Sequence, residues 1–106
     1  MDDQPRYREL EQLPEFAAQF DAIIERYSEQ VIGPVIDGLM WGIASSPQEY
    51  DRTTWNMRIA KSPSLGLTIP TLRIFFQILN EAQENERVLL CWIEETSTID
   101  DIAHLM

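Results

Sequence analysis

The chain has one cysteine, one histidine, few basic residues and no long apolar run, and each shortage removes a class of protein. Cys91 has no second thiol to pair with, so no internal disulfide can form. Its setting in VLLCWI is that of a small buried hydrophobe rather than a nucleophile. No apolar stretch approaches the roughly 18–20 residues that span a bilayer, and the opening MDDQPRYREL lacks the basic-then-apolar layout of a secretory signal. A cytoplasmic protein without membrane contact is therefore expected, and neither a cofactor nor a metal site. Internal repeats, low-complexity tracts and glycine-serine linkers are also missing, so residues 1–106 read as a single domain.

Eighteen acids against eight lysines and arginines leave a formal charge of −10, the wrong sign for a generic nucleic-acid binder, whose affinity comes from neutralising phosphates. The charge is unevenly spread. Residues 1–51 carry eleven acids and three bases, and residues 79–106 carry seven acids and one base. Between them, residues 52–78 hold no acid, only Arg52, Arg58, Lys61 and Arg73. An acid-free stretch inside an acidic protein can form a local anion site. It can equally reflect the scarcity of acids in strands.

What is present is patterned. Tyr7–Leu10 reads as a short first strand. From Pro14, the apolar residues Phe16, Phe20, Ile23, Ile24, Tyr27 and Val31 recur at three- and four-residue spacing, which predicts an amphipathic helix. Gly33-Pro34 punctuates the chain, and a second helix is expected from Pro34 to Ser45, largely buried because Asp37 is its only charge. The period then changes to two. A strand around residues 55–60 places Trp55, Met57 and Ile59 on one face and Arg58 and Ala60 on the other. A loop follows at Ser62–Pro70. The next strand sets Leu72, Ile74, Phe76 and Ile78 against Arg73, Phe75 and Gln77. A hairpin at Leu79–Glu86 leads to Arg87–Glu95, apolar on both faces and so expected at the centre of the sheet. Thr98 and Asp101 suggest a cap for a short terminal helix through Ile102 and Leu105.

The expected fold is α+β: two N-terminal helices packed on a mainly antiparallel three- to four-stranded sheet, with a short C-terminal helix. With the helices on the Ile59, Leu72/Phe76 and Val88/Trp92 side, strict alternation sends Arg58, Arg73, Phe75, Leu89, Cys91, Ile93 and Glu95 to the other face. Phe75, Leu89, Cys91 and Ile93 would then form an apolar strip that needs a cover, whether the terminal helix, a second copy of the chain or another protein.

The element order, with the strings MRIAKS, LRIFFQI and VLLCWIEE, resembles the RelE/ParE-type toxins of bacterial toxin–antitoxin modules over roughly residues 7–96. The resemblance implies a toxin, or a toxin-derived protein, whose partner is a small antitoxin and whose target includes messenger RNA on the ribosome. It further implies metal-independent cleavage, in which sheet-borne cations stabilise phosphate charge while an acid–base pair drives the ribose 2′-hydroxyl onto the adjacent phosphate. Carried onto this chain, the cations are Arg73, Arg58 and Lys61, the base is Glu95, and the role of His104 is open. The acidic charge and the ending IDDIAHLM depart from the basic, ribosome-acting members. A second reading therefore stands beside the first: a non-enzymatic interaction module, or inactivated relative, that binds protein through the open sheet face.

Overall fold

A computed structural model describes residues 7–53, 56–63 and 69–96. In it a β-strand, β1 (Glu9–Gln12), leads into two helices, α1 (Pro14–Tyr27) and α2 (Glu29–Ser45). A 3-10 turn at Pro47–Glu49 follows, then the strands β2 (Asp51–Arg52), β3 (Arg58–Lys61), β4 (Thr71–Leu79) and β5 (Arg87–Thr96). The strands form one five-stranded mixed sheet in the order β1-β5-β4-β3-β2, with β1 parallel to β5 and every other pair antiparallel. The class is α+β as expected, with β5 interior. The sheet is wider than expected because Asp51–Arg52 adds an edge to β3, and the first strand lies at Glu9–Gln12 rather than Tyr7–Leu10. The expected terminal helix and Trp55 lie outside the described residues.

Both helices cover one face of the sheet. Pro14 starts α1, where its missing N–H would find no helical partner in any case. The break between helices falls at Ser28, whose φ of 69° ends α1, and not at Gly33-Pro34. The stripe Ile32, Ile36, Leu39 and Ile43 explains this, since it runs straight through the proline and is buried along its length. An interior proline costs about 3 kcal/mol, but the Gln30 carbonyl it orphans is in an exposed turn that water can satisfy. The stripe meets Phe16 and Ile23 of α1 and, from the sheet, Ala60, Leu72, Ile74, Phe76, Val88, Leu90 and Ile93, which form one core. Burying each large side chain contributes about 1.5–3 kcal/mol.

Two strands depart from simple alternation. In β3, Ala60 pairs with Ile74 and is fully buried beneath the helices, so Ile59, paired with Phe75, faces outward. α2 packs against β3, and Ala60 joins the core there while the larger Ile59 stays half-buried on the other face. In β5 the register with β4 shifts: Phe76 pairs with Leu90 while Phe75 pairs with Trp92, leaving Cys91 as the extra residue of a β-bulge. Beyond the bulge every face is exchanged. Ile93, expected outside, is fully buried, and Trp92, expected in the core, is 38% exposed. Cys91 itself is buried and leaves the expected strip. α2 also differs: Trp41 is 61% exposed on a helix expected to be largely covered, and Val31, expected on the apolar stripe of the first helix, lies on α2 and is 44% exposed.

The bulge makes opposite demands on neighbouring residues. Ile93→Ala should destabilise the fold by about 2–5 kcal/mol, as a cavity in a closed core does. Trp92→Ala should cost about 1 kcal/mol or less, as a substitution outside the core does. Urea unfolding of the two variants checks the order; Trp92→Ala as the more damaging change would mean that the strand has no bulge.

Candidate functional site

The outer face of the sheet, opposite the helices, carries the residues that chemistry and resemblance single out, but in a different combination. Register partners in an antiparallel sheet share a face, so Ile59, Phe75 and Trp92 form an apolar row across β3, β4 and β5, continued by Leu89 opposite Gln77. Beside this row Lys61 pairs with Arg73, and Arg73 with Glu94. The Arg73 guanidinium makes an ion pair with Glu94 through Nη2, and Trp92 Nε1 donates to the other oxygen of Glu94 at 3.2 Å. Glu94 thus links the arginine to the indole. None of the ion pairs among the described residues involves Lys61, which is exposed.

The four proposed catalytic groups do not converge. Arg73 and Lys61 are neighbours on the outer face, but Arg58 is the partner of Phe76 and therefore points to the helix side. There its side chain, 11% exposed, donates to the carbonyls of Tyr50 at 2.7 Å and Gln48 at 3.2 Å and lies 3.7 Å from Glu81. Arg58 is a structural pin that ties the 3-10 turn to the sheet, and its loss would leave two backbone acceptors without their donor. Glu95 pairs with Leu72, again on the helix side, and makes an ion pair with Arg26 of α1. The carboxylate that does face Arg73 is Glu94, whose two oxygens are already engaged. His104 lies outside the described residues.

Of the residues first assigned to the apolar strip, Phe75 and Leu89 remain outward, while Ile93 joins the core. Cys91 sits in the bulge, 8% exposed, with Sγ 3.5 Å from the Leu89 carbonyl, and burial pushes its thiol above its ordinary pKa. This thiol is a packing group. Trp92, Ile59 and Glu94 take the vacated places. The signal for them was the chance to set Arg73 opposite a carboxylate, which only a one-residue slip in β5 provides.

No family model, curated protein or solved structure matches this chain. Function must be argued from the faces themselves.

Among the described residues His, Cys, Asp and Glu form no group that could hold a metal ion, and no helix is long and apolar enough to cross a membrane. A second polar cluster, around Arg8 and Glu86, is structural. Arg8 donates through Nε to Glu86 at 2.6 Å and through Nη1 to the Ser45 carbonyl at 2.6 Å, capping the C-terminal end of α2 with positive charge. Glu86 also accepts from the Ala82 amide at 2.8 Å and from Gln48 at 2.9 Å. Burial alone would raise the Glu86 carboxyl, but these donors and the Arg8 charge outweigh it and hold the group below its ordinary value.

The depressed value has a sign that can be tested. A carboxyl whose folded pKa lies below its unfolded one stabilises the fold above the unfolded value, near 4.3, and loses that contribution as pH falls through the folded value. Glu86→Gln should therefore weaken folding by about 1–2 kcal/mol at pH 7, and the gap between variant and wild type should close as pH falls below about 4. Denaturant titrations across this range check it; a gap that widens in acid would reverse the assignment.

Proposed function

We propose that this chain is a protein-interaction module that associates through the outer face of its sheet, and that the partner seated there is a second copy. The observation that carries the reading is the row Ile59, Phe75, Trp92 and Leu89, which crosses three adjacent strands on the face the helices leave uncovered. A row of large apolar side chains on neighbouring strands gains about 1.5–3 kcal/mol for each one fully removed from water. Charge supports self-pairing here rather than elsewhere. On this face Lys61, Arg73 and Arg87 stand against Glu9, Glu11, Asp51 and Glu94, with Arg87–Glu11 and Arg73–Glu94 already paired. Two copies of a chain of net charge −10 can approach most easily where each is nearly neutral.

A metal-independent ribonuclease toxin, the other reading, draws support from one arrangement, the adjacent cations Lys61 and Arg73. Among the described residues no unengaged acid–base pair stands beside them. Under the interaction reading, the purified chain leaves ribosome-bound messenger RNA intact.

Molecular mass in solution decides the matter. At tens of micromolar the wild type should run at about twice 12.3 kDa, and Phe75→Glu should be a folded species of 12.3 kDa with an unchanged circular dichroism spectrum. A wild type that is monomeric throughout this range removes the second copy from the outer face. Growth arrest on expression, relieved by Arg73→Ala, would transfer the function to the toxin reading.

A further inference from the structure

We propose a second interaction surface, on the helix layer, that receives a basic amphipathic segment of another protein. It lies on the opposite side of the molecule from the sheet face and does not depend on the assignment made there.

The first observation is the outward side of α2. A helix on a free surface normally turns polar residues to water. The exposed positions of α2 are Glu29, Gln30, Val31, Pro34, Asp37, Gly38 and Trp41, so beyond the first turn's Glu29 and Gln30 the only polar one is Asp37. Trp41 is held in place, its Nε1 donating to the Tyr7 hydroxyl at 3.0 Å with the rings 6.3 Å apart, and Tyr7 is itself 54% exposed. Beside it runs a hollow of about 370 Å³ lined by Pro34, Val35, Gly38, Leu39, Tyr50 and Pro63. A Cβ added to Gly38, one of the lining residues, would meet nothing within 4 Å, so a larger side chain can be accommodated at this edge.

The second observation is charge. A further hollow of about 380 Å³ shares Pro34 with the first and lies between α1 and α2, its floor made by Phe20, Ile24 and Ile36. Asp21, Glu25, Glu29 and Asp37 stand around it, all exposed, and none takes part in an ion pair among the described residues. An apolar hollow joined to an acid-rimmed one calls for a segment bearing large apolar side chains on one stripe and lysine or arginine beside it. Phosphate-bearing partners are repelled by this rim. A second copy is a poor match, because among the described residues Arg8, Arg26, Arg58, Arg73 and Arg87 are committed to ion pairs, and the remaining cations, Arg52 and Lys61, lie on opposite faces of the sheet edge and not along one apolar stripe.

The probe is a fluorescein-labelled synthetic helix of about 18 residues, leucine at helical spacing and arginine elsewhere, followed by anisotropy at about 0.15 M salt. Its counterpart carries glutamate in place of arginine. Saturable binding of the arginine peptide alone is expected. Gly38→Leu puts a bulky side chain on the lining of the hollow and replaces glycine by a better helix former, so it should weaken binding at least about tenfold while the melting temperature holds or rises. Glu25→Lys with Asp37→Lys should weaken binding by a similar factor, whereas the charge-matched pair Glu9→Lys with Glu15→Lys, away from the hollows, should change it less than about threefold. Phe75→Glu should bind as the wild type does, which separates this surface from the sheet face. The proposal is overturned if Gly38→Leu binds like the wild type, if the two lysine pairs lose affinity equally, or if the glutamate peptide binds as well as the arginine one.

Discussion

The extra residue that Cys91 inserts into β5 decides what each face of this sheet displays. Before the bulge, Val88 and Leu90 point to the helices; after it, Ile93 does, and Trp92 is released to the outside. A strand with two apolar faces has no preference of its own for which side is buried, so its neighbours choose. Unbroken pairing from the hairpin would set Arg73 opposite Ile93 and Ile74 opposite Trp92. The slip sets Ile74 opposite Ile93 in the core and Arg73 opposite Glu94 outside. One unpaired residue thereby joins apolar to apolar and cation to carboxylate.

The same economy governs the charges. Most of the described arginines serve as ties between elements: Arg8 joins the approach to β1 to the hairpin and the end of α2, Arg26 joins α1 to β5, and Arg58 joins β3 to the 3-10 turn. The most exposed of these pairs, Arg26–Glu95, is individually weak, and what all of them add is position. Their consequence is electrostatic. Cations spent internally leave the acids of α1 and α2 unanswered, so the helix layer is strongly negative and the outer sheet face nearly balanced. The two surfaces therefore select different partners.

Much of the fold could be read from periodicity. The α1 and α2 stripes and the alternation of β4 were legible because one face of each is polar or small enough to show the period, and Leu72, Ile74 and Phe76 are buried as that pattern requires. In β3 the local pattern favours Ile59 as the buried residue because it is the more apolar, whereas the register with β4 buries Ala60 opposite Ile74; that register is a tertiary fact that no local pattern contains. Arg58 and Glu95 were placed with Arg73 by strict alternation and lie on the other side for these two reasons, the inverted β3 and the bulged β5. The break at Ser28 was hidden because glycine and proline are stronger local signals than a serine with positive φ. Exposure of Trp41 depends on where α1 and the residues after α2 stop covering the helix.

The outer row depends on the bulge, because it exists only if Trp92 lies beside Phe75. Cross-strand nuclear Overhauser contacts in a labelled sample measure that pairing directly. Backbone contacts linking Phe76 with Leu90, Phe75 with Trp92 and Ile74 with Ile93 are the result this account predicts. Contacts linking Phe75 with Cys91 and Ile74 with Trp92, an uninterrupted ladder from the hairpin onward, would contradict it.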